Sequence, residues 1–366
     1  MQAAPAFSSS YKEAREKFLQ AAAQAGASVE SFKHPRTGVD GEELALDAAL
    51  VGSATPEKML ITSSGCHGVE GFCGSGVQVQ ALRDTAFRAR CEAAGVSVLH
   101  LHAINPFGFS HTRRVTHENV DLNRNFQDFS KPLPQNPAYR ELHPMLLPKE
   151  WPPGALNMAS VAWYIASKGM KAAQQALSGG QYELDDGLFF GGKGPTWSNQ
   201  AVRQVLRHFG AGVPQVAWID LHSGLGEEGS CERTFAMKPE DVIGQARARA
   251  WWEGGGATPL KSLYDGSSVS AALTGLMWPC IYDECPDSEI TTMAMEFGTV
   301  DKLKVLRALR GDHWHFQHPE APSALVKDIK KTLRDAFYVD TPAWKDKVTT
   351  QAMDAINQGV IGLKGI

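Results

Sequence analysis

The sequence predicts an α/β fold, a mixed and mostly parallel sheet flanked by helices, on three observations. Four apolar runs have strand length: Lys58 to Ser63 (KMLITS), Val96 to Ile104 (VSVLHLHAI), Val216 to Leu221 (VAWIDL) and Thr291 to Glu296 (TTMAME). They leave little room for a polar face, as expected of strands covered on both sides. Between and around them lie helix-length segments at 74–93, 157–179, 197–210, 238–254 and 267–277, the alternation that builds a parallel sheet with helical layers. The 366 residues, 43% hydrophobic and 21% charged, suffice for a large core without staples.

Taken in order, residues 9–26 carry charges and alanines at helical spacing and stop near Gly26. Two short strands follow, Ala27 to Phe32 and Glu43 to Val51, expected as an antiparallel edge. An insertion at about 127–156 contains the proline-rich stretch Lys131 to Pro153, too long for a tight connector; it reads as a lid, a cleft wall or a passive excursion. Helical stretches at 300–312, 320–337 and 342–358 form a C-terminal extension at about 301–366. The expectation is one catalytic domain over 1–366, without internal repeats.

Composition narrows the function classes. The formal net charge is −4 with no dense basic run, which argues against nucleic acid as a partner. Six cysteines lack any CxxC pair and read as free thiols in a reducing compartment. The N-terminus shows no basic region followed by an apolar run, and no stretch approaches the ~20 apolar residues of a membrane span. A cytoplasmic protein without membrane contact is expected.

Chemistry-bearing residues gather after the apolar strands. His67 and Glu70 in Gly65-Cys66-His67-Gly68-Val69-Glu70-Gly71 follow the first run, and an imidazole and a carboxylate at that spacing converge on one ion where the chain turns off a strand. Alone, such a pair is common by chance. His222, ending VAWIDLH, occupies the equivalent end of another strand, where ligands collect in open α/β sheets. Glu296 closes TTMAME, and a carboxylate there is costly to bury without a task; general base toward water is the natural one. After Asn105-Pro106-Phe107-Gly108 come Arg113, Arg114 and Asp121-Leu122-Asn123-Arg124-Asn125-Phe126, guanidinium groups suited to a substrate carboxylate and a developing oxyanion. A solvated arginine pair at 113 and 114 is the bland alternative.

GCHGVEG, NPFG, the arginine followed by DLNRNF, DLHSG and EFGT, in this order over residues 58–300, resemble the zinc carboxypeptidase superfamily, which includes aspartoacylase-like deacylases. Within it, VDLNRNF and EFGT are similar to a bacterial branch labelled only as a domain of unknown function. The resemblance implies one zinc ion on His67, Glu70 and His222, Glu296 as general base, Arg114 polarising the scissile carbonyl, and Asn123 with Arg124 gripping a substrate carboxylate. Arg114 is chosen over Arg113 by its distance to DLNR, with Arg113 kept as a substrate-binding candidate. Asp220 is expected to orient a histidine. Two departures concern substrate: NPFG stands where family peptidases commonly have NPDG, and Tyr264 and Tyr282 fit no clear motif for a substrate-closing tyrosine. Tyr264 is the candidate kept.

The function expected is hydrolysis of an amide bond in a peptide or amino-acid conjugate bearing a free carboxylate. A small-molecule N-acyl amino acid deacylase is the alternative within that chemistry, and a catalytically silent zinc-binding module is the alternative outside it. His313, His315 and His318 (HxHxxH) are expected to pack or face solvent, and Cys66 lacks the oxyanion-rich turn of a nucleophile.

Overall fold

The computed structural model describes residues 3–235, 237–253, 259–268 and 273–365. Eight strands form one mixed sheet: β1 Ser28–Thr37, β2 Glu43–Val51, β3 Lys58–Ser64, β4 Val96–His102, β5 Gln215–Ser223, β6 Cys231–Phe235, β7 Leu260–Ser262 and β8 Glu289–Phe297, in the spatial order β1-β2-β4-β3-β5-β8-β6-β7. The centre, β4-β3-β5-β8, is parallel. It is nearly all buried, which explains the unbroken apolar runs. β1 and β2 form the expected antiparallel edge. β6 and β7 lie beyond β8 and have no counterpart among the expected strands; CERTF and LKS are too short and too polar to signal themselves.

The helices are more broken than their periodicity suggests. The segment expected over 74–93 is two helices, Gly71–Arg83 and Thr85–Ala94, because Asp84 leaves helical geometry and caps the second through the Phe87 amide. Gly169, at φ +83°, divides the segment expected over 157–179 into Ala155–Lys168 and Met170–Ser178. The proline-rich stretch holds a helix, Pro137–Leu146. Of the helix expected over 267–277, residues 269–272 lie outside the described residues and 273–277 are not helical.

At the C-terminus, Lys302–Gln317, Ser323–Phe337 and Pro342–Lys364 are helices. The last of these reaches the layer beneath the sheet, where the Gly359 position lies within van der Waals reach of Leu60 on β3 and Ile219 on β5. Most buried apolar residues form one cluster, with members from Ala3 to Leu363.

From β3 the chain crosses to β4 on one side and later enters β5 on the other. The crevice for ligands therefore opens beyond the carboxyl ends of β3 and β5.

Candidate metal centre

His67 and Glu70 lie on the turn between β3 and Gly71–Arg83. The turn is held by two backbone bonds, Gly68 N–H to Arg114 O at 3.0 Å and Val69 N–H to Arg113 O at 2.8 Å. Gly68 is required there: a Cβ would meet the Gly108 carbonyl carbon at 2.1 Å. The NPFG segment makes that contact, and Asn105 caps its own short helix by accepting from the Gly108 amide. Phe107 stacks on His111, centroids 4.1 Å apart, and does not line the cleft.

His222 and Glu296 are register partners on β5 and β8, so both end at one level of the sheet. Glu70 lies between the histidines, with Oε1 2.8 Å from His67 Nδ1 and Oε2 2.8 Å from His222 Nδ1. Donor atoms of the three residues all lie within 4.8 Å of one another, the one such group of three among the described residues. The other ring nitrogens are engaged too. His222 Nε2 is 2.6 Å from Asp220 Oδ2, and Asp220 also accepts from Ser63 Oγ and Trp278 Nε1. His67 Nε2 lies 3.4 Å from Asp121 Oδ1 and 2.8 Å from Arg114 Nη2. Two imidazoles and a carboxylate are a donor set that could hold a metal ion, and a further carboxylate lies beside each ring.

Electrostatics follow from packing these charges together. Burial pushes Glu70 up, but the two histidines outweigh it and hold it low. Burial opposes charge on His222, yet Asp220 and Glu70 raise it well above its ordinary value. Glu296 moves the other way: burial first, then the Glu70 charge, push it up to about 8. Its Oε1 accepts from the Leu225 amide at 2.9 Å.

Arg114 and Asn123 join this group. Arg114 bonds Glu70 Oε1 at 3.2 Å and Asp121 Oδ2 at 2.9 Å, and Asn123 Oδ1 accepts from the Met277 amide. Arg124 is 2% exposed; it donates to the carbonyls of Asn123 and Ser178, and its Nε has no partner among the described residues. All three line the cleft.

Two expected substrate residues do not reach it. Arg113 turns away to Asp312 Oδ2 at 3.0 Å with its guanidinium over Phe316, because Asp312, paired also with Lys330, is a buried charge that requires partners. Tyr264 is 41% exposed, and it is Leu263, turned inward just past β7, that lines the cleft. Tyr282 donates to Asp241 instead.

His313 bonds the Asp186 carbonyl and His318 stacks on Trp314, so these two pack, while His315 is half-buried. Burial, with Asp220 and Asp121 next, pushes the Cys66 thiol well up. Sequence reasoning missed Asp121, which is fully buried and joins Arg114, His67 and Arg124. Its signal was its place at the head of DLNRNF, where it caps the Asn123 amide.

The fold is that of the metallocarboxypeptidases, and the site carries three residues that could hold a metal ion. Carboxypeptidase A from Helicoverpa armigera is 13% identical with TM-score 0.50, covering 97% of this chain and 73% of that one, which shows a shared fold. Bovine thrombin-activatable fibrinolysis inhibitor, solved with tick carboxypeptidase inhibitor, is 15% identical over 88% of this chain and 96% of that one, TM-score 0.47. A metallo-carboxypeptidase from Burkholderia cenocepacia is 10% identical over 96% and 68%, TM-score 0.45. The chain belongs to the family described as Protein of unknown function (DUF2817), whose model matches residues 7–351. No curated protein matches it.

Proposed function

We propose that the protein is a zinc-dependent amide-bond hydrolase of carboxypeptidase type, acting on a peptide or amino-acid conjugate with a free carboxylate. The observation that carries this is Glu70 between the two histidine Nδ1 atoms, with Glu296 buried beside them at the end of the next strand. When bound to His67, Glu70 and His222, zinc supplies a Lewis acid that makes water acidic near neutral pH.

The chain's own residues do the rest. Glu296 takes a proton from the attacking water and gives it to the amine nitrogen as the C–N bond breaks, from its buried place at the end of β8 level with His222. Arg114, fixed by Asp121, offers its guanidinium to the oxygen that gains charge. Arg124 and Asn123 hold the substrate carboxylate, consistent with a buried guanidinium whose Nε has no partner among the described residues. Asp220 and Asp121 orient the metal-binding rings.

The test is Glu296→Gln. Bound zinc stays at the wild-type level while turnover of a susceptible amide falls by roughly 10²–10⁴. Full turnover in that variant contradicts the mechanism.

A further inference from the structure

The metal centre lies in a cleft of about 450 Å³ whose walls extend well beyond the reacting groups. One wall is built where Arg310 of Lys302–Gln317 bonds Leu146 and Asn157, joining that helix to Pro137–Leu146 of the insertion and to Ala155–Lys168, the helix after it. It presents Leu142, Leu146, Val161, Ile165, Leu306 and Leu309. Arg310 and Tyr164 at that junction spend their donors behind the wall. Arg310, 3% exposed, donates to the carbonyls of Leu146 and Met145 and to Asn157 Oδ1. Tyr164, the polar side chain nearest this wall among the cleft residues of Ala155–Lys168, already donates to Ala138 O. Outside the metal centre and Arg124, the charged cleft residues are Asp301 and Lys302, both exposed at the start of their helix. The entrance is apolar too, with Met170 at 44% and Leu303 at 53% exposure.

A peptide laid along this wall would bury amide groups that its side chains do not partner, which opposes binding. A hydrocarbon chain needs none and gains from every CH₂ it buries. We infer that the cleft accepts a long aliphatic acyl chain along this wall, so that the substrate is an N-acyl amino acid carrying a fatty acyl group. The assignment rests on the hydrolase reading above and specifies its substrate. Water adds its oxygen to the acyl carbon, the C–N bond breaks, and the amine takes a proton. The products are a fatty acid and a free amino acid.

The test uses N-acetyl-, N-octanoyl- and N-dodecanoyl-leucine. Binding to metal-free protein is measured by calorimetry, and zinc-loaded protein is assayed for hydrolysis of the same compounds and of a leucine-terminated peptide. Affinity and kcat/KM rise about threefold to fourfold per CH₂ while the chain remains on the wall, at least a hundredfold from acetyl to octanoyl. Ile165→Glu and, on a different helix, Leu306→Glu each remove that dependence with bound zinc unchanged. Zinc-dependent peptide hydrolysis with a flat chain-length series overturns this assignment alone. Chain-length-dependent binding with no zinc-dependent hydrolysis of any of these amides overturns the hydrolase reading and the assignment with it.

Discussion

In the metal-free centre His222 is held by carboxylates on both sides, Glu70 at Nδ1 and Asp220 at Nε2. Its pKa is raised well above 6.5, so it carries a proton that an incoming ion must displace from Nδ1. The sign follows: below the raised pKa, proton and metal compete, and affinity for zinc climbs with pH by about tenfold per unit until His222 deprotonates unaided. Competition with a chelating dye between pH 6.5 and 8 measures this, and an affinity flat across that range contradicts it. At this scale the sequence was most legible for the groups at strand ends, because His67, Glu70, His222 and Glu296 follow apolar runs directly. It was least legible for Arg113 and Arg114. Adjacent residues of one type face different partners, and the choice is made by Asp312 on a helix nearly two hundred positions away, which takes Arg113, and by Asp121, which takes Arg114.

Among the elements, Lys302–Gln317 has two tasks. Its inner side supplies cleft residues, and its Asp312 ties it to Arg113 and Lys330. Arg113→Ala leaves buried Asp312 with Lys330 as its remaining cation. Loss of that charged hydrogen bond is expected to destabilise the protein by about 1.5–3 kcal/mol without changing zinc content. Urea unfolding with elemental analysis of the folded protein checks this; unaltered stability would mean that Arg113 is free for substrate after all. Helix boundaries were only partly legible for a physical reason. Asp84 and Gly169 interrupt segments whose periodicity continues across them, since capping and a left-handed glycine act locally while apolar spacing averages over several turns. The insertion was legible as a cleft wall only in outline: its prolines signalled an excursion, whereas the helices that line the cleft depend on packing against Lys302–Gln317.

For the whole molecule, the parallel centre was readable because strands buried on both faces must be apolar throughout. The short strands β6 and β7 owe their place to pairing with β8 and with each other, which nothing local in CERTF or LKS encodes. Strand order places the crevice beyond β3 and β5, and the four groups of the candidate centre converge there from three strands. Among the described residues no helix is long and apolar enough to cross a membrane. We propose that this convergence holds one zinc ion for hydrolysis. The most direct test is elemental mass spectrometry on protein purified without chelators, for wild type and His67→Ala, with amide hydrolysis followed through chelation and zinc return. About one zinc per chain, lost in the variant, with activity that leaves and returns with the metal, is the predicted result. Wild-type protein that binds no metal when offered zinc, or activity indifferent to chelation, would contradict it.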